Sequence, residues 1–175
     1  MLIIDLRRLA EAPLEVVGQI DREDPLWRGS GVDLLLPLSA RGTAEAAGGG
    51  VVRVHGSFES RAGAACRRCL KPVDLDVAEE FDLVFDPSAK RGDEDLTLYR
   101  LDPNADELDL RETLRERLLL AVSEYPLCRK ECRGLCPHCG ADLNATECDC
   151  STTESDPRWA PLLTLRGEGE AGANG

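Results

Sequence analysis

The chain has 175 residues and a formal net charge of −12, with 42% apolar and 31% charged residues. That length suffices for one domain of ordinary size, or for one body with a small appended module, and no run approaches the ~20 apolar residues that span a bilayer. The acidic balance excludes a surface that wraps nucleic acid throughout, because phosphate binding needs Lys and Arg.

In chain order, Met1–Leu9 carries a short apolar run followed by Asp5, Arg7 and Arg8. Charges in that order do not make a secretory leader, so the cytoplasm is the expected compartment. Leu14–Ile20 and Val32–Leu38 read as strands, separated by a turn-rich stretch with Asp24-Pro25 and Gly29-Ser30-Gly31. Leu34, Leu35 and Leu36 break the alternation, so the second strand is either buried on both faces or ends in a bulge. Ala44–Gly50 reads as a flexible loop.

The clearest β signal comes next. Val52, Val54, Gly56 and Phe58 alternate with Arg53, His55, Ser57 and Glu59, which gives one buried and one wet face. His55 is then an ordinary surface residue. Val73, Leu75, Val77, Phe81, Leu83 and Phe85 repeat at spacing two, broken only by Glu79, with Asp74, Asp76, Glu80, Asp82 and Asp86 opposite. Joined at Cys66-Arg67-Arg68-Cys69, the two runs make an antiparallel hairpin with a thiol pair at its tip. Asp86-Pro87 ends it, Lys90–Asp95 reads as loop, and Leu96–Leu101 as a short strand. Aromatic residues are few, so the core rests on Leu and Val.

The period then changes. Leu110, Leu114, Leu118 and Val122 recur every four residues, which predicts an amphipathic helix packed on the hairpin sheet. Asp109 and Glu112 give it a capping-box-like start, and Pro126 stops it. A Cys-rich module follows from Cys128 to Cys150. Asp156-Pro157 reads as an N-cap and first-turn proline of a short segment docked by Trp159, Leu162, Leu163 and Leu165, which Pro161 limits to a turn or two. The expected architecture is α+β: residues 1–125 form an antiparallel sheet with a packed helix, 126–165 a C-terminal Cys-rich zinc module with a short helix, and 166–175 a disordered tail.

Eight cysteines in a reducing compartment point to metal rather than cross-links. Thiolate pairs two residues apart chelate zinc from one tight turn, and Cys136-Pro137-His138-Cys139-Gly140 has that form. Cys148-Asp149-Cys150 supplies a further pair, and Cys66 with Cys69 and Cys128 with Cys132 leave four more thiols. Two four-cysteine zinc sites follow, one of them tying the module to the sheet. The spacing leaves the pairing open, because Cys128 or Cys132 can also join Cys136 and Cys139. His138, between two knuckle cysteines, is read as a surface residue and not a ligand.

From Asp74 to Asp109 there are thirteen acidic residues against Lys90, Arg91 and Arg100. The cysteines carry the opposite sign: Arg67, Arg68 and Lys71 beside the first pair, and Arg129, Lys130 and Arg133 beside the second. Those six are the candidate RNA contacts, and the acidic face suits a basic protein. A redox Cys-x-x-Cys belongs at a helix start in a βαβ setting, which this hairpin is not. No G-x-S-x-G or phosphate-cradling glycine motif occurs, and four-thiolate zinc has no open position, so no enzyme is expected.

The residues resemble the bacterial YceD family. The resemblance is carried by Cys66-Arg67-Arg68-Cys69-Leu70-Lys71-Pro72, by Pro126-Leu127-Cys128, by Cys132-Arg133-Gly134-Leu135-Cys136-Pro137-His138-Cys139-Gly140-Ala141-Asp142-Leu143-Asn144, and by the ending Cys148-Asp149-Cys150 with Asp156-Pro157-Arg158-Trp159. It covers roughly residues 50–165. It implies a non-enzymatic role in accumulation of large-subunit ribosomal RNA and in biogenesis of the large subunit, with zinc as structural support. Together with the local charge, the expected partners are the pre-large subunit, its RNA, or a basic ribosomal protein, with no membrane and no small-molecule substrate. The alternatives are a zinc ribbon that binds nucleic acid by itself and a redox-sensing zinc protein.

Overall fold

Long alternating runs dominate the architecture of the computed structural model, which describes residues 2–90 and 97–150. In chain order the elements are β1 (Ile3–Asp5), α1 (Leu6–Leu9), β2 (Leu14–Ile20), β3 (Asp33–Gly48), β4 (Val51–Ala65), β5 (Pro72–Asp86), β6 (Leu98–Arg100), β7 (Glu107–Asp109) and α2 (Arg111–Ala121). Strands β2-β3-β4-β5-β6 form one sheet in that order, antiparallel except where Val84–Asp86 run parallel to Leu98–Arg100. β1 and β7 make a separate antiparallel pair. The chain divides into two compact units between Lys130 and Glu131. The predicted loop at Lys90–Asp95 falls largely outside the described residues, as do the Asp156 segment and the tail.

The β4–β5 hairpin lies where the alternation puts it, running from Val52↔Phe85 to Ala65↔Pro72. Val52, Val54, Phe58 and Ala62 are buried with Val77, Phe81, Leu83 and Phe85. Glu79, the break in that pattern, faces inward and ion-pairs with Arg117 of α2, with both side chains about one-fifth exposed (24% and 18%).

The fold is predominantly sheet, and this corrects the α+β expectation. The helix has 11 residues against strands of 16, 15 and 15. The expected loop at Ala44–Gly50 is the main cause. Ala44 is fully buried, and β3 runs on to Gly48 paired with β4. The turn shrinks to Gly49-Gly50, with φ of +62° and +82°, the two-residue hairpin turn that fits the strand twist. At the other end of β3 the bulge reading holds. The register shifts around Leu36, which is 49% exposed, and the Ser60 hydroxyl donates to the Leu36 carbonyl at 2.9 Å. Pro37 sits within that irregularity, where its missing N–H breaks no regular ladder.

Leu110, Leu114 and Leu118 are fully buried in the core cluster, to which Trp27 also belongs. The helix starts without the expected capping box. Leu110 is the N-cap and its side chain makes no cap bond, while Asp109 accepts the Arg111 amide at 3.0 Å. The helix ends at Ala121, ahead of Pro126, because Val122 turns extended (φ −67°, ψ 123°). The first residues also belong to the core. Leu2, Ile4 and Leu9 are buried, and the Leu2 carbonyl accepts the Leu110 amide at 2.9 Å.

No described helix is long and apolar enough to cross a membrane.

Candidate metal centres

Two Cys-x-x-Cys turns are built by the same hydrogen bonds. At the tip of the β4–β5 hairpin the Cys66 amide donates to the Lys71 carbonyl (2.8 Å), and the Leu70 amide returns to the Cys66 carbonyl (2.9 Å). In the second unit the Cys136 amide donates to the Ala141 carbonyl (2.8 Å), and the Gly140 amide to the Cys136 carbonyl (2.9 Å). This curl turns several amides toward the first sulfur of each pair. The Cys66 thiol is held down from its ordinary 9.0 to about 6 by the amides of Cys128, Cys69 and Arg68. The amides of Cys139 and His138 bring Cys136 to about 6 in the same way.

The hairpin tip is anchored to the segment after α2. The Arg67 amide donates to the Pro126 carbonyl (2.8 Å), and its Nε to the Glu124 carbonyl (2.8 Å). Its guanidinium lies 5.3 Å from the Tyr125 ring centroid. This brings Cys128 to the tip, with 3.6 Å between the sulfurs of Cys69 and Cys128.

None of the eight cysteines is in a disulfide. Their sulfurs fall into two groups, Cys66, Cys69, Cys128 and Cys132 in one and Cys136, Cys139, Cys148 and Cys150 in the other, each within 4.8 Å of one another. Four sulfurs around one zinc at ~2.3 Å sit about 3.8 Å apart at the corners of a tetrahedron, so both groups need only a small contraction to close on an ion. Soft thiolate donors in fours favour zinc among the common divalent ions. The residues present therefore fit structural metal.

Charge crowding in the second group points the same way. Cys150 is pushed up to about 12 by Cys139 and Cys136. At Cys148 the Cys150 amide pulls the thiol down, but Cys136, burial and the charge of Cys136 and Cys139 raise it overall. A divalent cation removes that repulsion and leaves all four sulfurs deprotonated. The first group is the more enclosed: Cys66, Cys69 and Cys132 are buried, whereas Cys139 is exposed in the second.

His138 is exposed and belongs to neither group. His55 is likewise exposed on the wet face of β4. The candidate RNA contacts Arg67, Arg68, Lys71, Arg129, Lys130 and Arg133 are all exposed; Arg67 also has the internal role described above. Sequence reasoning missed two supporting residues. Asn144 accepts the Arg133 amide (2.8 Å) and directs its Nδ2 at Cys132 Sγ (3.5 Å), a role that a lone Asn outside any Cys pair does not announce. Tyr125 carries no motif of its own, and its closeness to Arg67 depends on a contact 58 positions away in sequence.

Residues 54–166 match the family described as "Large ribosomal RNA subunit accumulation protein YceD". A chloroplastic protein of Arabidopsis thaliana, large ribosomal RNA subunit accumulation protein YCED homolog 1, is 36% identical over 64 residues, covering 37% of this chain and 20% of that protein. An uncharacterized protein of Mycobacterium tuberculosis is 34% identical over 126 residues, covering 67% of this chain and 60% of its own. The Zea mays homolog of the chloroplastic protein is 25% identical over 130 residues, covering 58% and 44%. The chain thus spans from a fifth to three-fifths of the length of these relatives. No solved structure matches it.

Proposed function

Because this chain belongs to the YceD family, we propose that it is a non-enzymatic factor supporting accumulation of large-subunit ribosomal RNA and biogenesis of the large subunit. One observation carries the reading: the family match runs from Val54 in β4 through β5 and α2 and takes in every one of the eight cysteines. Cys66, Cys69, Cys128 and Cys132 would hold one zinc, and Cys136, Cys139, Cys148 and Cys150 the other. When bound, the ions neutralise crowded thiolates and fix two turns; four thiolates leave no coordination position for a substrate. The basic residues around the thiols are the RNA-facing part of this reading, and the acidic strand β5 is the part suited to a basic ribosomal protein. The protein acts in the cytoplasm on the pre-large subunit.

Removal of the protein from cells tests the reading. Large-subunit RNA measured against small-subunit RNA should fall, and the tagged protein should co-sediment with particles lighter than the mature large subunit. Unchanged RNA ratios, with the protein only at the top of the gradient, would contradict it.

A further inference from the structure

The two Cys-x-x-Cys turns differ at one structurally equivalent position, Leu70 in the first and Gly140 in the second. The position after the second cysteine donates back to the first cysteine's carbonyl, and this requires left-handed backbone. Gly140 meets the requirement at φ +73°, and Leu70 meets it at φ +60°. Among the described residues Leu70 is the one non-glycine with positive φ. A side chain there is strained where glycine is not, and Leu70 recovers nothing by burial, being 66% exposed.

A second large side chain stands open at the same tip. Tyr125 is 72% exposed, and its ring is kept in place by the Arg67 guanidinium, itself fixed to the Glu124 carbonyl. Arg67, Arg68 and Lys71 belong to the turn, and Arg129 and Lys130 directly follow Cys128, whose sulfur lies 3.6 Å from that of Cys69; Glu124 and Glu131 are the acidic residues of this second stretch. Between Cys66 and Val73 there is no acidic residue. Beyond Val73 the exposed side of β5 carries Asp74, Asp76, Glu80 and Asp82. A polyanion is thus drawn to the tip and turned away from the rest of the hairpin.

We infer that the β4–β5 tip is a contact for single-stranded RNA, in which an unpaired base stacks on Tyr125 beside Leu70 while the five cations hold the flanking phosphates. An open aromatic ring backed by Arg, with basic residues on both sides, is the combination that single-strand binders use. Charge selects the occupant: a chain of net charge −12 that gathers five cations at one tip is matched to phosphate. The inference rests on the proposed role in ribosomal RNA accumulation and adds the binding surface and the form of RNA.

The test uses the full chain loaded with zinc and a labelled oligouridine, followed by fluorescence anisotropy against the same strand in duplex form. The single strand should bind more tightly than the duplex. Tyr125→Ala should weaken it roughly 5-fold to 150-fold, the loss of one base stack, and Tyr125→Phe should retain binding. Leu70→Gly should weaken binding while leaving Tm equal or higher, since glycine suits that backbone. Equal binding by native protein, Tyr125→Ala and Leu70→Gly would overturn the inference, as would preference for the duplex. A lowered Tm for Leu70→Gly would overturn it by giving Leu70 a structural role. Variants that bind RNA normally but no longer co-sediment with ribosomal particles would assign the tip to a protein partner instead. The rRNA ratio in depleted cells stands apart from all of these, so loss of the surface and loss of the cellular role read out separately.

Discussion

Replacing Gly56 by alanine should cost about 2–4 kcal/mol of stability, because β3 and β4 approach each other there without room for a Cβ. Gly42 and Gly56 are register partners. A Cβ on Gly56 would lie 2.2 Å from the Arg41 carbonyl oxygen and 2.7 Å from the Gly42 Cα, all of it backbone. Carbon and oxygen normally meet at about 3.3 Å or more, so the strands must part by about 1 Å. That takes the neighbouring N–H···O bonds beyond ~3.2 Å. Losing two such bonds at ~1 kcal/mol each, with overpacking of ~1–3 kcal/mol partly relieved by the shift, gives the stated range. Gly63→Ala is the control. Its Cβ would meet Leu35 Cδ2 at 3.5 Å and Asp33 Oδ2 at 3.6 Å, both side chains at ordinary contact, so a change of less than about 1 kcal/mol is expected. Urea unfolding of zinc-loaded protein measures both, with the slope checked for constancy. A Gly56→Ala variant no less stable than Gly63→Ala would refute the close approach.

Arg117→Ala should destabilise by about 1–3 kcal/mol, since it leaves the Glu79 carboxylate largely enclosed without its partner; the double change Glu79→Leu with Arg117→Leu should cost less than the single one, and urea midpoints decide. Metal-free protein should lose stability as pH falls from about 9 to about 6. Cys66 and Cys136 titrate near 6 in the folded chain against an ordinary 9.0, so unfolding takes up protons in that window and the contribution present above 9 is gone below 6. Melting curves of chelated, reduced protein that rise in Tm toward acid would contradict the amide-to-sulfur geometry. Cys66→Ser and Cys136→Ser should each lower metal content by one ion while the other group keeps its own, as read by native mass spectrometry.

The hairpin was legible because both of its strands keep a strict period of two, from Val52 and from Val73. The Cys-x-x-Cys turns were legible because two-residue spacing leaves zinc few geometries. Ala44–Gly48 was not: small residues carry almost no contrast between faces, and their strand identity comes from the register with β4. Glu79 looked like an interruption because its partner, Arg117, lies on another element. Residues 2–9 could not be placed because β1 pairs with β7, about a hundred positions away. The grouping of thiols was open for a related reason. Spacing restrains sulfurs within one turn, whereas Cys66 and Cys128 are brought together by the Arg67 bonds to Glu124 and Pro126.

Metal content per chain, measured on protein purified without chelator and paired with thiol counts before and after denaturation, tests the two-centre scaffold most directly. The expected result is two zinc ions per chain and eight thiols that react fully only once the metal is released. A metal-free preparation with four disulfides would contradict both the sites and the reducing setting in which they are placed.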